Sequence, residues 1–136
     1  MDIGRSAAVR SPLDFGPARI LCIRGVESAR MCVKETCGAD DLDECRSLCE
    51  DTATVLEALV EMLERPYETY RAVSLRRMIE AGLATVVECG AECAEHADDV
   101  VSCAACATDC AGAADALRQL LRELADDDAD ERSSAT

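Results

Sequence analysis

Ten cysteines in a chain of 136 residues are the side chains best placed to do chemistry, and their spacing is regular. Cys45 and Cys49, like Cys89 and Cys93, stand four residues apart. On a helix that spacing puts two side chains on one face, about 5 to 6 Å apart, where a single metal ion can bridge them. Thiolates are soft donors that select Cu(I), Zn(II) or iron-sulfur clusters, which excludes magnesium and calcium as the main ligands. A lone free cysteine is usually a small core hydrophobe, but that reading weakens when many gather in one place. His96 is the only histidine, which removes most acid-base schemes. No nucleophile with its base, paired-carboxylate site or glycine-rich phosphate loop is evident, so no enzyme activity is expected.

These thiols need helices to position them, and the sequence supplies four. The first is expected from Pro17, which suits a first helical position, to about Thr36, stopping before Gly38. Asp41, with Glu44 three residues on, suggests the cap of a second helix running to the residue before Pro66. A third spans roughly residues 67–96, with the stretch before Ser74 open to being a loop or a separate turn. A fourth follows Asp98 and fades near Leu124.

Read at alternating steps of three and four, the seam of a packed bundle, the second helix gives Leu42, Cys45, Cys49, Thr52, Leu56, Leu59 and Leu63. The fourth gives Cys103, Cys106, Cys110, Ala113, Leu117, Leu120 and Leu124. The third, running the other way, gives Ala72, Leu75, Ile79, Gly82, Val86, Cys89, Cys93 and His96. The first offers Cys22, Gly25, Ala29, Cys32 and Thr36, with Cys37 just beside the seam. The expected fold is therefore all-α, an antiparallel up-down-up-down four-helix bundle. Its cysteines line one half of the core and its leucines fill the other. Cys22 alone falls outside the sulfur half, some 15 Å below Cys32 at about 1.5 Å per residue. Gly25, Thr52, Gly82 and Ala113 form a layer of small residues between the halves, allowing close helix approach or leaving room for a bound cluster.

Composition agrees with one such domain: aromatic residues are 2% of the chain, and Trp is absent. The formal charge of −14 argues against nucleic acid, because a polyanion needs clustered Lys and Arg. No run approaches the roughly 20 apolar residues of a membrane span. Residues 1–16 are expected to be a flexible segment, 17–124 the bundle, and 125–136 a disordered acidic tail. The first seventeen residues carry charges and turn formers where an export signal would be apolar. A cytoplasmic, reducing setting is therefore expected, with the cysteines as thiols.

The stretch Glu88-Cys-Gly-Ala-Glu-Cys-Ala-Glu-His96, followed by Cys103-Ala-Ala-Cys-Ala-Thr-Asp-Cys110, resembles the cysteine-rich four-helix-bundle copper storage proteins. Asp43-Glu-Cys-Arg-Ser-Leu-Cys49 resembles their second helix. The resemblance implies storage or buffering of Cu(I) by core thiolates. The ligands it implies are Cys45, Cys49, Cys89, Cys93, Cys103, Cys106 and Cys110, with Cys32, Cys37 and Cys22 as further candidates. His96 would stand at the open end as a ligand or entry residue. It also implies a homo-oligomer, and a storage role leaves room for a copper-donor or acceptor protein. Ile79, Gly82, Val86, Ala113 and Leu117 stand where the family pattern would continue with cysteine, so capacity should be smaller. An iron-sulfur cluster or a structural zinc site, in an electron-transfer or interaction module, is the competing expectation; zinc would use four ligands and leave six cysteines over.

Overall fold

The computed structural model describes residues 13–135. Within them the chain forms four α-helices: α1 Gly16–Thr36, α2 Asp43–Leu63, α3 Ala72–Glu95 and α4 Val101–Ala135. Each helix packs on the next, and α1 closes the ring against α4. With short connections between them, the helices alternate in direction around a single core, as an antiparallel up-down-up-down bundle. Among the described residues there is no strand.

Local chemistry sets the boundaries. Pro17 sits in the first turn of α1, where a missing N–H costs nothing. At the other end Gly38 adopts φ +86, a left-handed conformation that favours glycine, while the Ala39 amide donates to the Thr36 carbonyl at 3.1 Å. Cys37 caps that helix in an extended conformation, which swings it off the seam. The Arg71 guanidinium donates to the Met62 carbonyl at 2.9 Å, satisfying one of the open carbonyls at the end of α2.

Two boundaries differ from the sequence reading, and a third falls on one of its two alternatives. Asp41 does not cap α2: it lies inside a single 3-10 turn, Asp40–Leu42, closed by the Leu42 amide on the Ala39 carbonyl at 3.0 Å. The stretch before Ser74 is mostly separate from α3, with its own 3-10 turn at Thr69–Arg71. Tyr67 lies ahead of that turn with its ring edge-on to buried Phe15, the centroids 6.2 Å apart. Finally, the acidic stretch expected to be a disordered tail continues α4 as helix to Ala135. No Gly or Pro follows Gly112, so nothing in the chain interrupts the ladder. Asp128 also pairs with Arg76 of α3, which ties the extra turns to the bundle. Of the segment expected to be flexible, residues 1–12 lie outside the described residues, whereas Phe15 is buried in the core.

The leucine half is as expected: Leu56, Leu59, Leu63, Leu75, Ile79, Leu117, Leu120 and Leu124 are all buried. The small-residue layer allows close approach rather than holding space. A Cβ on Gly25 would lie 2.9 Å from a Leu56 methyl, and one on Gly82 2.9 Å from a Leu59 methyl. Leucine already fills that volume.

Candidate metal centre

Eight cysteines meet in the other half of the core. At the outer end, α1, α2 and α4 each contribute one sulfur to a near-equilateral triangle. Its edges are 3.8 Å for Cys32–Cys45, 3.6 Å for Cys32–Cys103 and 3.7 Å for Cys45–Cys103. Deeper in, α2, α3 and α4 make a second triangle. Cys49–Cys89 is 3.6 Å, and Cys106 lies 3.9 Å from both. Cys93 of α3 links the two, 3.6 Å from Cys45 and 3.7 Å from Cys49. Cys110 extends the network below Cys106 at 3.9 Å. α1 gives nothing to the inner triangle because its next seam position is Ala29. A Cβ on Gly90 would come 3.2 Å from the Cys110 Cβ, so glycine there lets α3 and α4 close around that thiol.

All eight residues are buried, at 0 to 1% exposure, so no water competes for the sulfurs. The neighbouring hydroxyls do not intrude: Thr36 donates to the Cys32 carbonyl at 2.7 Å and Thr52 to the Leu48 carbonyl at 2.9 Å, each on its own helix. Burial pushes the Cys45 thiol up to about 12, with the nearby charge of Cys93 adding to it. Burial also raises Cys103. Contact with Cys106 raises Cys49 and Cys93, and contact with Cys110 raises Cys106. Cys110 is raised as well: Cys106 acts to lower it, and Cys89 together with burial outweighs that. Cys89 goes the other way, because Cys106, Cys110, Cys49 and Cys93 can all donate to its thiolate. Thiols packed this closely in a dry cluster titrate together rather than one by one. Metal entering it must displace protons.

The remaining three candidates stand apart from this network. Cys22 is buried three residues before Gly25, and no sulfur contact to it is seen among the described residues. Burial lifts its thiol to about 12. Cys37 is exposed. His96 caps the end of α3, half-buried, with Nε2 at 2.9 Å from the Glu92 carboxylate. Sequence reading missed Glu92, although its place four residues before His96 on one helix face carried the signal.

Two overlapping sets of four thiols have their sulfurs within 4.8 Å of one another: Cys32, Cys45, Cys49 and Cys93, and Cys49, Cys89, Cys93 and Cys106. A four-helix bundle whose core is half leucine and half mutually touching thiols has the donor set of a soft-metal-binding protein. Comparison with solved structures sharpens that class. The chain is similar to the copper storage protein Ccsp of Streptomyces lividans. A histidine-to-alanine variant of that protein superposes with TM-score 0.77 and 27% identity, over 82% of this chain and 94% of that one. The cytosolic S. lividans copper storage protein carrying five coppers gives TM-score 0.76 at 27% identity, over 80% and 92% of the two chains. The same protein loaded with 10 copper equivalents gives 0.74 at 27%, over 82% and 92%. No protein-family model matches the chain, and no curated relative matches it by sequence.

Proposed function

We propose that this protein stores or buffers Cu(I) in the cytoplasm, holding the ion on thiolates that point into the bundle. The observation that carries the reading is the unbroken run of eight sulfurs, each 3.6 to 3.9 Å from its neighbours and supplied by all four helices. A monovalent ion suits such a column, because each copper entering in exchange for a thiol proton leaves the dry core no more charged than before. The ligands are Cys32, Cys45, Cys49, Cys89, Cys93, Cys103, Cys106 and Cys110. His96, oriented by Glu92 at the same end as the outer triangle, serves entry rather than storage. Cys22 and Cys37 take no part. The copper-bound states of the similar S. lividans protein support this reading, as does the absence among the described residues of a helix able to cross a membrane.

Replacement of further sulfur positions by Val86, Gly82 and Ala113 implies fewer ions per chain than the 10 equivalents loaded into the S. lividans protein. Partners are copper donors or acceptors that reach the outer end, and copies of this chain forming an oligomer. No catalytic role is proposed. Anaerobic titration of the reduced protein with Cu(I) against a competing chelator tests the reading. Tight uptake of several equivalents, with sulfur-to-copper charge-transfer absorption, is expected; uptake of one or fewer would overturn it. Iron with sulfide in protein isolated without added metal would point instead to an iron-sulfur module.

A further inference from the structure

The inner thiols have a shape that a sulfur column does not require. Cys49, Cys89 and Cys106 form a triangle with edges of 3.6, 3.9 and 3.9 Å. Cys93 stands 3.7 Å from Cys49 and within 4.8 Å of the other two. No point in the plane of that triangle satisfies those limits without colliding with one of its corners, so the fourth sulfur lies above it and the four make a pyramid. A tetrahedral Zn(II) centre with Zn–S of about 2.3 Å has sulfur-sulfur edges of about 3.8 Å. Four of the six edges of that pyramid, at 3.6 to 3.9 Å, match that spacing and the other two lie within 4.8 Å, and tetrahedral four-sulfur sites are the signature of zinc or iron-sulfur chemistry. The second set, Cys32, Cys45, Cys49 and Cys93, shares two members with the first. Three of its edges, Cys32–Cys45, Cys45–Cys93 and Cys49–Cys93, measure 3.8, 3.6 and 3.7 Å.

We propose that Cys32, Cys45, Cys49, Cys89, Cys93 and Cys106 form a site for a pair of tetrahedral divalent ions of the zinc class, joined through the shared thiolates of Cys49 and Cys93. Charge favours the pair over a single ion. Four thiolates around one divalent ion carry a formal charge of minus two, and six thiolates around two ions carry the same charge, so the second ion adds no net burden to the dry core. Loading is a ligand exchange without redox change: six thiols release six protons as two divalent ions enter. The proposal does not rest on the copper reading. It gives the same core a second cargo, bound in fixed stoichiometry and in competition with Cu(I).

Co(II) is the probe, added anaerobically to the reduced full-length protein. The expected result is two equivalents, both with the intense ligand-field bands of tetrahedral cobalt in a four-thiolate shell. Electron paramagnetic resonance intensity should rise with the first equivalent and fall with the second, as the shared thiolates couple the two ions. Cys32→Ser, which breaks only the outer set, and Cys89→Ser, which breaks only the inner, should each bind one equivalent with no loss of signal. Cys22→Ala should keep two. Helix content by circular dichroism shows whether each variant is folded. One equivalent in the unaltered protein, six-coordinate spectra, or two uncoupled ions would overturn the proposal. Cu(I) uptake measured on the same preparation reports separately on the storage reading, so either can fail alone.

Discussion

The two halves of this core are built on the same seam and do opposite work. In the leucine half, branched side chains interlock so tightly that Gly25 and Gly82 are needed to admit Leu56 and Leu59. In the sulfur half, small side chains touch at 3.6 to 3.9 Å and fill less volume. Apolar burial contributes roughly 1.5 to 3 kcal/mol for a leucine and less for a cysteine. Stability is thus concentrated in one half, and the other is free to carry donors. The lesson is that a binding interior can be written into a bundle without dismantling it, provided the opposite end holds the helices together.

That division can be broken experimentally. The largest effect is expected from joint Cys49→Ala and Cys93→Ala, which removes a corner of the inner triangle together with the sulfur that links it to the outer one. Cu(I) capacity should fall by more than half, while the metal-free protein loses no more than about 2 kcal/mol in denaturant melts. Full capacity in that variant would refute the division. Next comes Leu59→Ala, expected to cost about 3 to 5 kcal/mol by leaving a cavity, with Cu(I) stoichiometry unchanged by the same titration. Gly82→Ala should cost about 1 to 3 kcal/mol from the clash with Leu59, partly offset by the better helix propensity of alanine.

Cys22 offers a smaller, pH-dependent effect. Its thiol moves from the ordinary 9.0 to about 12 on burial. Below pH 9 it is protonated whether the chain is folded or not. Above that the unfolded chain sheds the proton and the native one does not, so stability contributed by this group declines from about pH 9 to about 12. Cys22→Ala should flatten that part of the thermal-melt profile. The smallest effect belongs to the exposed Arg30–Glu57 pair between α1 and α2; Glu57→Gln should change stability by under about 1 kcal/mol and leave metal uptake as it was.

Much of this was legible in the sequence, because a three-four seam reports which side chains share a core. Cys45, Cys49, Cys89, Cys93, Cys103, Cys106 and Cys110 meet where the pattern put them, and Cys32 joins them from α1. What the pattern could not give is conformation at the ends of helices. Cys37 is adjacent to the seam in sequence, yet an extended residue ahead of a left-handed glycine turns it to solvent. The extension of α4 was not legible, because a run of like charge reads the same whether it ends a helix or continues one. Its continuation depends on a partner, Arg76, that is distant in sequence. The His96–Glu92 contact lies within one turn, at the four-residue spacing that pairs side chains on one helix face.

The helices are not equally committed to the sulfur network: α4 brings three thiols, α2 and α3 two each, and α1 only Cys32. Once metal is bound, α1 is therefore the element whose detachment breaks the fewest coordinate bonds. Local opening in the loaded state should run along α1, and its amides should exchange with solvent faster than those of α2, α3 or the core turns of α4. The bundle then has a hinged side, and the route by which an ion is handed on is set by which wall is held most lightly.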